Sequence, residues 1–294
     1  MGAESDEGGS AEAEAASRKS LRARGAAAVG RTESGRLLLR CIHALADFEI
    51  FDRSMTLAAH AFTSIIPILI AVVALNSGGR GALGRRLADN LGLGDAGSRV
   101  LEGAIPSSTY VLGGIGWFGL LLLVIAATAF SRALERFFVR LWSTHKAPLR
   151  FAWRWLLALA AVVVGVLVLE YTRAVLRPNP TTAVLDVLVE AIIWSAVWIV
   201  TPWLVLNRAV AWRMLLPGAV LSGIGLALAG LVARVYLPIA LTEAAREFGA
   251  LGMAFSYLGW IFVLMFVMVI ASTVGHVIAT DDGPLGRRIR GRER

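Results

Sequence analysis

MTLAAHAFTSIIPILIAVVAL, residues 55–75, runs for 21 positions without a charged side chain. A hydrocarbon core of about 30 Å needs roughly 20 apolar residues at a helical rise of about 1.5 Å each, so this stretch reads as a membrane-spanning helix. It is not uniformly apolar: His60, Ser64 and Pro67 follow one another at helical spacings and form a polar stripe along one face. Comparable stretches recur at residues 111–130, 151–169, 183–206, 214–233 and 250–280. Composition agrees, with 57% hydrophobic residues, 17% charged residues and a mean hydropathy of +0.68. The expected fold is an all-α membrane protein, a six-transmembrane-helix bundle.

Around the spans, residues 1–34 are rich in Gly, Ala, Ser and Glu, turn basic near Arg18 and Lys19, and contain no apolar run long enough for a signal-peptide core. That composition predicts a disordered cytoplasmic tail. Across residues 36–53, Leu38, Ile42, Leu45 and Phe48 recur every three or four positions among Arg36, Arg40, Asp47 and Arg53, which predicts an N-terminal amphipathic helix lying in the interface. The membrane domain then covers residues 35–280, and residues 281–294 form a second basic cytoplasmic tail. The outer loop, residues 76–110, has a Gly-rich part and a surface helix expected near residues 85–102. The 31-residue stretch 250–280 is longer than one crossing needs, so bends are expected near Gly252 and Gly259. The fifth span carries a small-residue ridge at Gly218, Ser222, Gly225 and Ala229 that favours close helix packing. Pro202 and Pro217 mark sites for local bending.

The formal charge of +8 is not spread evenly. The N-terminal segment carries eight Lys and Arg, the loop over residues 131–150 five, residues 207–213 two and the C-terminal tail five, against eight in the alternate loops. The positive-inside rule then places both termini in the cytoplasm of a multi-pass protein of the inner (plasma) membrane. Trp153 and Trp155 mark the interface at the third span. Arginines here act as interfacial anchors and partners for anionic lipid, and no aromatic-interleaved basic surface points to nucleic acid.

Motifs for soluble chemistry fail their context. Three G-x-G-x-x-G segments, residues 79–84, 92–97 and 114–119, do not follow a strand and open a helix, and no phosphate-loop motif occurs. The four histidines are scattered, without metal-ligand spacing, and the single Cys41 excludes an internal disulfide framework. No catalytic residue, metal or cofactor is expected. Candidate pathway residues are His60, Ser64, Pro67, Asp186 and Glu190, because ionisable groups inside a bilayer are expensive and face a cavity or a partner. For His60 the alternative is a neutral ring bonded to a carbonyl of a neighbouring helix. Asp186 and Glu190, spaced four apart, share one face at the outer end of the fourth span. Glu170, Glu243 and Glu247 are expected at the same level, beside Arg173, Arg177, Arg234 and Arg246, either as an outer cavity or as ordinary interfacial charge.

Four separated stretches, taken together, resemble the YihY/BrkB family of membrane proteins, formerly mislabelled ribonuclease BN. They are AAHAFTSIIP at residues 58–67, the basic segment 133–142 ending in Leu141 and Trp142, WRMLLPGA at 212–219 and FGALGMAFSYLGW at 248–260. His60 stands where that family has an aromatic residue, Phe248 where it has Tyr, and residues 271–275 replace its late acidic pattern. These departures resemble the YhjD-like branch, whose membership implies lipid or lipopolysaccharide-precursor traffic across the inner membrane.

The expected function is an inner-membrane transport protein, a secondary transporter or flippase for an anionic lipid or envelope precursor. Arg132, Arg136 and Arg140 would collect headgroups, and the His60 stripe would pass them outward. The alternatives are a small-solute exporter and a non-transporting scaffold or regulator of envelope assembly. Expected partners are anionic membrane lipids, with a homo-oligomer or envelope-assembly partners besides.

Overall fold

A computed structural model describes residues 33–64, 97–100, 116–145, 153–176 and 183–290. Among them every regular element is an α-helix, in the order α1 Glu33–Asp47, α2 Ile50–Thr63, α3 Gly116–Leu141, α4 Trp153–Leu176, α5 Ala183–Val205, α6 Trp212–Thr280 and α7 Pro284–Arg290. Three of these, α4, α5 and α6, are long and apolar enough to cross a membrane. Pro67 and the rest of the first span, Arg177, most of the outer loop with its expected surface helix, most of the N-terminal tail and the last four residues lie outside the described residues.

The expected amphipathic segment 36–53 is not one helix. Glu49 takes a left-handed conformation, φ 47° and ψ 49°, and divides α1 from α2. Arg53 holds the break: its Nε donates to the Phe48 carbonyl at 2.7 Å and its guanidinium lies 4.8 Å over the Phe48 ring. That places Phe48 edge-on against Phe137 of α3, with ring centroids 6.1 Å apart.

A second difference concerns residues 131–150, expected as a loop. Helix α3 continues through the first half of them to Leu141. Leu134, Phe137, Phe138 and Leu141 recur on one face and are buried against α2, α5 and α6, so packing carries the helix past the end of its uncharged stretch. Arg132, Arg136 and Arg140 are thereby set four residues apart on the opposite, exposed face.

Helix α6 is a hairpin. A β-carbon on Gly275 would collide with the backbone of Gly218, and one on Gly225 with Val267, so the limb before residue 249 runs antiparallel to the limb after it. The turn is at Gly249, φ 61° and ψ −142°, a conformation for which glycine alone is suited. The bends expected at Gly252 and Gly259 are displaced to Gly249 for that reason. Gly252 stays helical, and its missing side chain admits the Ala244 carbonyl. Pro202 lies inside α5 and Pro217 inside the first limb of α6.

The first limb of α6 presents two glycine faces. Gly218 and Gly225 meet the second limb, whereas Gly223 and Gly230 meet Ala191, Ser195 and Glu190 of α5. Lipid offers no hydrophobic drive between helices, so close backbone approach is what holds such an arrangement together. The main buried cluster, with Leu57, Phe138, Trp198, Leu215 and Met268, lies towards the end where α6 begins and finishes, and a smaller one, with Leu237, Leu241 and Trp260, lies towards the elbow.

Candidate functional site

The cations sort into two levels. Near the ends of α3 and α5 and the starts of α4 and α6, guanidinium groups lie over indole rings: Arg132 over Trp155 at 5.6 Å, Arg154 over Trp153 at 5.4 Å, Arg208 over Trp203 at 4.4 Å and Arg213 over Trp212 at 5.7 Å. Arg154 also donates to Asn207, whose backbone, like that of Arg208, turns left-handed between α5 and α6. Trp142 meets the His276 ring edge-on at 4.5 Å. We refer to this level as the basic end.

Asp281, which caps α6, joins the basic end to α1 through an ion pair with Arg40 at 2.8 Å. The Gly283 N–H and then Arg40 hold its carboxyl below the ordinary carboxylate range. Burial, and after it the charge of Asp281, push the Cys41 thiol above its ordinary value.

At the opposite level, towards the elbow, arginines close on carboxylates. Glu190 of α5 is only 2% exposed. Arg173 of α4 donates to both of its oxygens at 3.0 and 3.1 Å, and Arg234 of α6 lies 3.5 Å away. Arg173 also reaches Glu170 at 3.1 Å. The carboxylate has room because residue 230 is glycine; a β-carbon there would strike Glu190 Oε1. The cluster therefore ties three helices through one buried acid.

Of the sequence-predicted residues, Glu190 is thus assembled with Arg173, Arg234 and Glu170. Asp186, one turn earlier, is half-buried and joins no ion pair among the described residues. Glu243 pairs with Arg246 on its own helix at 2.8 Å. The His60 ring nitrogen Nδ1 lies 2.8 Å from the Thr56 carbonyl of its own helix, not of a neighbour, and Ser64 donates to the His60 carbonyl at 2.9 Å. Among the described residues no hydrogen bond or ion pair links His60 or Ser64 to Asp186 or Glu190.

Two features escaped the sequence reading. Gly230 lies one position from the expected ridge, and only the side chain opposite it shows its role. The second is a groove of about 240 Å³ between α2 and α3, lined by Glu49, Asp52, Arg53, Thr56, Arg136 and, as its apolar floor, Leu57, Ala133 and Phe137. Glu49, at the break between α1 and α2, forms part of its lining, and periodicity alone does not signal that break. Among the described residues no group of three His, Cys, Asp or Glu is placed to hold a metal ion.

The profile of the family described as Virulence factor BrkB matches residues 42–289. No curated protein and no solved structure matches the chain.

Proposed function

From the chain's membership of the BrkB family, a family match that takes in the basic end, the groove and the buried cluster alike, we propose that this membrane protein moves an anionic lipid or envelope precursor between the leaflets of the inner membrane, with both termini cytoplasmic. In this reading the chain folds as a six-helix bundle with the α1 segment in the interface, and it makes and breaks no covalent bond.

Glu190 carries the reading. A buried ion cluster is a poor device for stability, because desolvation offsets most of its Coulombic gain, and in a bilayer an ionisable side chain is a functional candidate by default. Some polar side chains are handled more cheaply: the buried Ser54 and Thr273 and the half-buried Ser195 donate to carbonyls four residues back on their own helices. Glu190 instead depends on partners from two other helices, so relative movement of α4, α5 and α6 must break and remake its pairs. Arg132, Arg136 and Arg140 support the reading from the other level, where they are exposed along one face of α3, a row of guanidinium groups suited to lipid phosphates. Anionic lipids are the proposed partners.

The test is leaflet exchange of labelled anionic lipid in liposomes containing purified protein, wild type against Glu190→Gln. Exchange above protein-free vesicles that is lost in the variant, at unchanged folding and orientation, is the expected outcome. Wild-type protein that gives no exchange would sink the proposal and shift weight to solute export or to a scaffold.

A further inference from the structure

The groove between α2 and α3 holds charge of both signs, and two of its charged groups are unspent. Arg53 is engaged, by the Phe48 carbonyl at 2.7 Å and by Glu49 at 3.5 Å. Arg136 and Asp52 are exposed and form no ion pair, with each other or with any described residue, although they line the same groove. Thr56 donates its hydroxyl proton to the Asp52 carbonyl, leaving its lone pairs to accept. An unpaired guanidinium and an unpaired carboxylate facing one groove, over the apolar floor of Leu57 and Phe137, define a ligand. It carries a phosphate, a separate ammonium and hydrocarbon.

We infer that this groove binds the headgroup of a membrane lipid whose phosphodiester carries a primary amine, phosphate to Arg136 and ammonium to Asp52. The inference goes beyond the proposed transport of an anionic lipid: it assigns this groove to a zwitterionic lipid that stays with the protein, not to the cargo. A headgroup with phosphate alone would satisfy Arg136 but place its negative charge beside Asp52 and Glu49, a like-charge contact that disfavours it. A quaternary ammonium has no N–H to donate to Asp52, and such groups are recognised by aromatic cages rather than by a carboxylate. A primary ammonium has three donors, enough for Asp52 and the Thr56 oxygen together.

The experiment measures which lipids stay with the purified protein after exchange into detergent micelles containing equal amounts of phosphatidylethanolamine, phosphatidylglycerol and phosphatidylcholine. Wild type is expected to retain phosphatidylethanolamine over the other two by about fivefold, the scale of one partly exposed charge contact. Asp52→Asn should abolish that preference while leaving phosphatidylglycerol bound at least as well, and Arg136→Gln should lower retention of both. Neither side chain has a partner among the described residues, so elution and helical content should not change. No preference in wild type, or a preference that survives Asp52→Asn, overturns the inference. Displacement of the lipid by an equal concentration of soluble glycerophosphoethanolamine overturns the assignment to a lipid. Because retention needs no translocation, preference without leaflet exchange defeats the transport proposal and leaves this one standing, and exchange without preference does the reverse.

Discussion

Arginines occupy both levels of this bundle, yet at the basic end four of them lie over tryptophan rings and towards the elbow two of them close on one buried carboxylate. The two arrangements answer different surroundings. At an interface a guanidinium keeps its water on one side, and a ring face adds attraction without requiring any group to be stripped of solvent. Towards the elbow, the carboxylate of Glu190 has lost its water, and the guanidinium groups of Arg173 and Arg234 replace it. The arginine stacks of the first level are weak, separable contacts; the cluster towards the elbow rests on a single residue whose loss strands its neighbours.

The sharpest way to break this contrast is Glu190→Ala. Removing one partner from a fully buried pair costs about 3–5 kcal/mol, and because the Arg173 and Arg234 side chains are 38% and 37% exposed, a loss of about 2–3 kcal/mol is expected. Thermal unfolding in detergent measures it, and a loss under about 0.5 kcal/mol would place the level among ordinary surface ion pairs. Next, Gly275→Val should force the limbs of α6 apart where Gly275 meets Gly218, for about 2 kcal/mol by the usual scale of overpacking, and should broaden the unfolding transition at the basic end. Gly230→Ala refines the comparison: it should cost about 1 kcal/mol in wild type by displacing the carboxylate, and close to nothing in the Glu190→Ala background. Additive losses in that double-mutant cycle would mean that Gly230 serves packing alone.

At the basic end the expected effects are smaller. Trp203→Leu removes the closest of the arginine stacks and should cost about 0.5–1 kcal/mol; a loss as large as that of Glu190→Ala would erase the distinction between the levels. The smallest effect concerns Asp281, whose carboxyl is held below the ordinary range in the folded chain. A depressed folded value adds stability that is present above the unfolded value and fades as pH falls through the folded one. Wild type should therefore exceed Asp281→Asn slightly at neutral pH, with the gap closing below about pH 4. A gap that widens on acidification would reverse the assignment.

How much of this could be read beforehand depends on the range of the interaction. Spans 183–206 and 250–280 were legible because an uncharged run long enough to cross a bilayer leaves few alternatives, and α5 and the second limb of α6 keep those bounds within a few residues. The arginine row was visible as residues but not as a helix face, because what extends α3 to Leu141 is burial of Leu134, Phe137 and Phe138 against other helices. Asp186 and Glu190 looked equivalent in sequence; Gly230 opposite one of them, and not the other, separates their fates. His60 stands out in sequence by its polarity, and the local bond to Thr56, invisible to hydropathy, occupies Nδ1, one of its two ring nitrogens. The turn at Glu49 was missed because a helix period shows where apolar residues fall and says nothing about a backbone that changes hand between them.

That change of hand matters most at the elbow. Gly249 sits at φ 61° and ψ −142°, and a β-carbon built on it meets no other atom within 4 Å. Space is therefore no obstacle to a side chain there; chirality is. Reversing both signs gives the extended conformation that ordinary residues adopt freely, so the position is the mirror image of a common one. A semisynthetic chain carrying D-alanine at 249 should fold and melt like the natural one, while its L-alanine counterpart should lose about 1–3 kcal/mol. The hairpin of α6 turns, in effect, on one residue of the opposite enantiomeric sense, and glycine is the only encoded residue that belongs to neither hand.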